Sequence, residues 1–140
     1  MSAEKAALRE KLLRRRRERP TPERAAAAAA VAATLVRRLA GVRTLAAYVP
    51  DDTEPGAGRL PDVDTQLGAR VLLPVVPTAG TALTWAVDTG RLAPGRFGLL
   101  EPAGPRLGAT ALGAAEVIVA PALATEGKTF QIAQRVGQGR

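Results

Sequence analysis

The sequence predicts an α/β fold, a mostly parallel sheet held between helices in three layers, and three observations carry that prediction. TLAAYV (44–49) and VLLPVV (71–76) are unbroken apolar runs of strand length, as expected of strands buried on both faces. The residues between them leave room for one helix near 61–68, which makes a βαβ unit. VIVAPA (117–122) repeats the strand pattern further on. The 140 residues are read as one domain, a helical pair over 1–41 followed by an α/β body over 44–140 that is incomplete on its C-terminal side.

Residues 3–18 are rich in Ala, Leu, Glu, Lys and Arg, so they read as a helix capped by Ser2 and ended by Pro20. At about 100° per residue, Leu8, Leu12 and Leu13 share an arc that also contains Lys5, Arg9 and Arg16. Those three cations are therefore expected to face the body of the protein. The alternative, aliphatic stems lying over apolar surface with their charged heads in water, stays open. Thr21 as N-cap, Pro22 at the first helical position and Glu23 in the first turn open a second helix, which Gly41 closes. Its apolar stripe is Ala28, Val31, Ala32, Leu35, Val36 and Leu39. LTWAVD (83–88) is a candidate further strand, and RLAPGRFGLLEPAGPRLG is an irregular connection leading to VIVAPA. In an open α/β sheet, ligands sit beyond the carboxyl ends of the strands. That rule selects PDDTEPGAG (50–58) and the residues after Pro121.

The absence of cysteine and histidine excludes disulfides, thiolate zinc sites, serine–histidine triads and cysteine nucleophiles. Any metal must be a hard ion held by carboxylates. The net charge of +7 is concentrated at the start: residues 1–45 hold twelve Lys/Arg against four Glu, and the remainder holds eight against nine acids. Such an arm suits nucleic acid, an anionic membrane surface or a phosphorylated ligand. The Ala-rich run 25–36 has the length of a signal-peptide apolar region, but Glu4, Glu10, Glu18 and Glu23 precede it and Thr-Pro-Glu opens it as a helix. No segment is long and apolar enough to span a bilayer, so a soluble cytoplasmic monomer without a membrane partner is expected.

Several short motifs stand out. EGKT (126–129) resembles the end of a phosphate-binding strand–loop–helix motif, but the position of that motif's first glycine is Ala122. KAALR puts Lys5 and Arg9 one helical turn apart, a spacing that suits a triphosphate as well as solvent. Glu54 lies beside Asp51 and Asp52 in a strand-end loop, either as a solvated turn residue or as a ligand contact. Trp85 reads as core. In RVGQGR, glycines at alternate positions can turn N–H groups toward an anion, and the same hexapeptide also reads as a frayed tail.

Taken in order, KAALR, YVPDDTE, VLLP, GLLEP, VIVAPALA and RVGQG resemble the 5-formyltetrahydrofolate cyclo-ligase family, also called methenyltetrahydrofolate synthetase, over nearly the whole chain. The resemblance implies conversion of 5-formyltetrahydrofolate to 5,10-methenyltetrahydrofolate, with ATP and Mg2+ and release of ADP and phosphate. A formamide oxygen is a poor leaving group; phosphorylating it lets the neighbouring N10 attack and phosphate depart, a step governed by positioning and charge neutralisation. The resemblance assigns ATP contacts to Lys5, Arg9, Arg135, Val136, Gly137, Gln138, Gly139 and Arg140, and folate contacts to Val49 and Glu54. It assigns no catalytic residue and no metal ligand. TEGKTFQIAQ (125–134) is longer than the family's short turn and lacks the aspartate usually found near Thr125. The family's loop continues into Gly-Tyr-Tyr-Asp and a helix, so a cyclo-ligase by descent with little turnover in the 140-residue chain is expected. The alternative is a non-catalytic module whose basic arm holds nucleic acid, which calls for stacking aromatics near the arginines; none precedes Tyr48.

Overall fold

The structure, a computed structural model, describes residues 2–76, 82–122 and 134–135. Helix α1 (Ala3–Glu18) begins where Ser2 accepts a hydrogen bond from the Lys5 N–H at 3.1 Å. Helix α2 (Thr21–Arg38) starts one residue earlier than its sequence suggests, with Pro20 rather than Thr21 at the cap. Pro20 has an extended backbone and its carbonyl accepts the Arg24 N–H, so Thr21 is already helical. At the other end Leu39 leaves the helix and Gly41, at φ 85°, turns the chain toward the first strand.

Strand β1 (Thr44–Ala46), helix α3 (Leu60–Leu67) and strand β2 (Arg70–Val75) form the expected βαβ unit, β1 pairing parallel with β2 and Leu45 lying opposite Val71. Strand β3 (Thr84–Val87) returns antiparallel along the outer edge of β2, with Leu73 opposite Ala86. Residues 76–83 are too few for a parallel crossover, which needs about a dozen or more. A short antiparallel hairpin of β4 (Leu92–Pro94) and β5 (Leu100–Pro102) forms a separate two-stranded sheet within the irregular connection. The chain then enters β6 (Val117–Ile118), parallel to the free side of β1, and β7 (Gln134–Arg135) pairs antiparallel with β6. The order β3-β2-β1-β6-β7 thus has three parallel strands at its centre and an antiparallel strand at each edge.

Alternation along the central strands sends side chains to two cores. Leu45, Ala47, Val71, Leu73, Val117 and Val119 meet Leu35 and Leu39 of α2 and Leu60 and Val63 of α3. Ala46, Leu72 and Ile118 face the other way, toward Trp85 and a 3-10 turn at Ala109–Ala114. Both faces are covered, which is why these strands read as unbroken apolar runs. The α2 stripe and Trp85 sit in the core as the sequence predicts.

Helix α1 departs from expectation. None of its residues is buried: Lys5 and Arg9 are exposed, Leu8 is 55% exposed, and only Leu12, Leu13 and Arg16 are partly covered. The shared arc of leucines and cations is real, but it meets the body only in its second half, where an Arg16 guanidinium N–H donates to the Ala122 carbonyl at 3.1 Å. Lys5 and Arg9 stand on the solvated half.

Candidate functional site

Strand β1 is the point at which the sheet order reverses, β2 lying on one side and β6 on the other. The chain leaving its carboxyl end builds a pocket of about 150 Å³. Tyr48, Val49 and Glu54 come to it from the strand end and the following loop, Pro121 from beyond β6, and Arg96 and Glu101 from the hairpin region. On the far side of Glu54 a larger groove of about 760 Å³ opens toward α1 and α2, and Glu54 lines both spaces.

The loop is fixed by its own polar groups. The Asp51 carboxylate accepts from the Thr53 N–H at 2.8 Å, the Thr53 hydroxyl at 2.9 Å and the Glu54 N–H at 3.0 Å. Glu54 reciprocates, one carboxylate oxygen accepting the Asp51 N–H at 3.0 Å, so the pair closes like a capping box. Partial burial works to raise the Asp51 carboxyl, but the bonds from Thr53 and Glu54 outweigh it and hold its pKa below the ordinary value. Behind the loop the Tyr48 hydroxyl donates to the Pro55 carbonyl at 2.7 Å. Burial first, and then the Glu54 carboxylate, push that hydroxyl up to about 12 against the opposing pull of Arg16, so it is neutral and a donor at physiological pH. Gly56 completes the turn at φ 83°, packed so tightly against Leu60 that a Cβ would collide with it.

On the opposite wall Glu101 is 21% exposed and pairs with Arg106 at 3.0 Å. Arg106 also donates to the carbonyls of Pro102 at 2.6 Å and Gly104 at 3.0 Å, which anchors the hairpin. Gly95 lies so close to the Glu101 carboxylate that a Cβ would stand 2.5 Å from Oε2. The pocket therefore presents two carboxylates, Glu54 and Glu101, between apolar walls of Val49, Pro74, Val76 and Pro121. Such a site suits a flat heterocycle that offers N–H donors along its edge.

The whole chain, residues 1–140, matches the family described as the 5-formyltetrahydrofolate cyclo-ligase family. The chain belongs to that family. A protein of Mycolicibacterium smegmatis (strain ATCC 700084 / mc(2)155) named 5-formyltetrahydrofolate cyclo-ligase is 41% identical over 102 residues, 69% of this chain and 50% of that protein. The chain thus spans about half the length of this cyclo-ligase relative. Among solved structures, the fold is similar to a 5,10-methenyltetrahydrofolate synthetase from Mycoplasma pneumoniae, with a TM-score of 0.61 and 17% identity, covering 84% of this chain and 63% of that one. It is similar also to the Aquifex aeolicus 5,10-methenyltetrahydrofolate synthetase, at a TM-score of 0.52 and 23% identity, covering 74% and 54%.

The residues that the cyclo-ligase motifs single out fall into three groups. Val49 and Glu54 meet in the small pocket at the carboxyl end of β1. Lys5 and Arg9 lie on the exposed half of α1. The Arg135 backbone runs in β7 opposite Val117, at the amino end of β6 and so away from that pocket, whereas Val136, Gly137, Gln138, Gly139 and Arg140 lie outside the described residues, as does EGKT. Tyr48, Arg96 and Glu101 are pocket residues that the motifs do not pick out as contacts. Tyr48 stands in YVPDDTE and Glu101 in GLLEP, so the signal was present as motif membership without a role.

Proposed function

We propose that the chain serves the ATP-dependent closure of 5-formyltetrahydrofolate to 5,10-methenyltetrahydrofolate, with release of ADP and phosphate, and that the pocket holding Val49 and Glu54 receives the pterin end of the folate. The observation that carries the reading is the meeting of these two residues at the switch point of the sheet, in a chain of this family. The Glu54 oxygen not occupied by the Asp51 N–H accepts from the N–H groups along the pterin edge, and Glu101 faces the same ring from the hairpin side. Val49 and Pro121 supply apolar walls that exclude water from the reacting formyl group. Tyr48, by holding the Pro55 carbonyl, keeps the Glu54 loop in place before ligand arrives.

ATP, when bound, supplies the phosphoryl group that turns the formyl oxygen into a leaving group. Lys5 and Arg9, one turn apart and exposed, are the residues of α1 that would neutralise its phosphates, together with the segment 135–140. Among the described residues no three Asp or Glu side chains gather into a metal site. Magnesium, when bound, would supply a hard cation that neutralises the phosphate oxygens.

Titration calorimetry with 5-formyltetrahydrofolate tests the reading. Glu54→Gln keeps an oxygen to accept the Asp51 N–H, so the loop closes as before, but it removes the charge from the ligand's hydrogen bonds. A weakening of about tenfold or more is expected, with the melting temperature almost unchanged. If the variant binds as well as the parent, or unfolds while retaining affinity per folded molecule, Glu54 is a turn residue and the pocket is not the folate site.

A further inference from the structure

We infer that Glu101 is a specificity-determining residue: one of its carboxylate oxygens takes the N8–H of a reduced pterin, so the pocket beyond β1 selects reduced over fully oxidised rings. This rests on the folate reading of that pocket. With the 2-amino and N3 hydrogens of the ring held by Glu54, few donors remain. N1 and O4 are acceptors, and in 5-formyltetrahydrofolate N5 carries the formyl group, which leaves N8–H as the one ring donor for a second carboxylate. A fully oxidised ring has a lone pair at N8 instead, and a carboxylate facing that position repels it.

The hairpin is built to hold such a carboxylate at the pocket wall. Glu101 stands opposite Ala93 in the β4–β5 ladder, and Gly95 lies two residues further along the same face. The Gly95 backbone, at φ −118° and ψ −158°, is extended and open to residues with side chains. What calls for glycine is space. A Cβ there would stand 2.5 Å from Oε2 of Glu101 and 2.8 Å from its carboxylate carbon.

The two carboxylate oxygens are not equivalent. Oε1 accepts from the Arg106 guanidinium at 3.0 Å, and that guanidinium also donates to the carbonyls of Pro102 and Gly104. The Arg106 backbone is in turn bridged to Ala86 of β3, and the next residue, Leu107, donates its N–H to the Trp85 carbonyl at 2.7 Å. The anchor therefore reaches the core of the sheet. Oε2, beside Gly95, accepts from no described residue and is the oxygen left for a ligand. A fixed acceptor in a partly covered wall is costly to leave unpaired, so it discriminates strongly between a donor and a lone pair.

The test uses folate and 7,8-dihydrofolate, which share a tail and a bare N5 but differ at N8, an acceptor in the first and N–H in the second. Calorimetry under reducing conditions should show the parent binding 7,8-dihydrofolate about thirtyfold or more tightly. In Glu101→Gln the amide oxygen stays on the Arg106 donor, which puts the amide nitrogen at the Oε2 position and turns an acceptor into a donor. The preference should then collapse to about threefold or less, with folate binding better and 7,8-dihydrofolate worse. A gain for folate is a change that loss of structure does not produce. Gly95→Ala should weaken 7,8-dihydrofolate about tenfold and leave folate nearly as before. Glu10→Gln, the same charge change on the exposed half of α1, should behave as the parent. Melting temperatures identify a variant whose hairpin fails to fold, and the parent's own preference then decides. Equal affinity of the parent for the two ligands, or a preference that survives in folded Glu101→Gln, overturns the inference, while binding of 5-formyltetrahydrofolate alongside leaves the pterin pocket standing. Failure of 5-formyltetrahydrofolate to bind the parent overturns the folate reading and this inference with it.

Discussion

At the scale of single residues, Glu54 both closes its own loop and lines the pocket beyond β1, which is why the sequence left a turn residue and a ligand contact as alternatives. The structure gives it both positions at once, one oxygen on the Asp51 N–H and the side chain lining the pocket. Tyr48 was legible as the end of an apolar strand and as a member of YVPDDTE, without a role; its bond to Pro55 depends on the loop folding back, which no spacing rule encodes. Tyr48→Phe leaves that carbonyl without its donor and should lower stability by about 1 kcal/mol, measured by urea denaturation. It should also weaken folate binding more than its small stability cost accounts for, because the Glu54 loop is no longer pinned. Gly56→Ala places a Cβ against Leu60 at a positive φ and should cost more than about 1 kcal/mol. If either variant matched the parent in stability, the loop would be held by something other than these contacts.

Among elements, helix and strand identity were readable and orientation was not. The apolar stripe of α2 predicts its buried face, since Leu35 and Leu39 are almost wholly buried. The arc on α1 predicts a buried face that the first half of the helix lacks, because periodicity reports which residues share a face and not whether anything covers it. The reversal at β3 follows from connection length, a signal present in the sequence once the strand ends are known. Helix α3 carries a liability of its own, the 9% exposed Asp64. Burial, and secondarily the Asp88 carboxylate, raise its pKa from 3.8 to about 7. The folded protein therefore holds a proton that the unfolded chain releases near pH 4, and the stability this group allows below about pH 4 falls away as pH rises toward 7. Asp64→Asn should leave the melting temperature nearly unchanged at pH 4 and raise it by roughly 5 °C or more at pH 8. A variant that is no more stable than the parent at pH 8 would show that Asp64 ionises without penalty.

For the whole molecule, the central strands were legible because burial on both faces leaves an unbroken apolar run, and the site was legible as a region because ligands collect at the switch point of such sheets. The opposite wall of the pocket was not. Glu101 reaches it through a hairpin that the sequence presents only as a Gly- and Pro-rich connection, and the pairing of Leu92 with Pro102 carries no local signature. The nucleotide belongs to this scale too, because its proposed contacts lie far apart in the chain. ATP should raise the melting temperature, and Arg9→Ala should diminish that rise more than Arg14→Ala, which projects from another side of α1. Equal losses would leave only diffuse electrostatic attraction.

The central claim, that the pocket beyond β1 receives the folate, is tested most directly by mapping amide chemical shifts during a titration with 5-formyltetrahydrofolate. The largest changes should fall on Val49, Glu54, Val76, Leu100 and Glu101, which line that one pocket from three separate stretches of chain. Changes that bypass these residues and gather instead around Asp64 and Asp88, where the Asp88 N–H bonds Val71 at the amino end of β2, would contradict it.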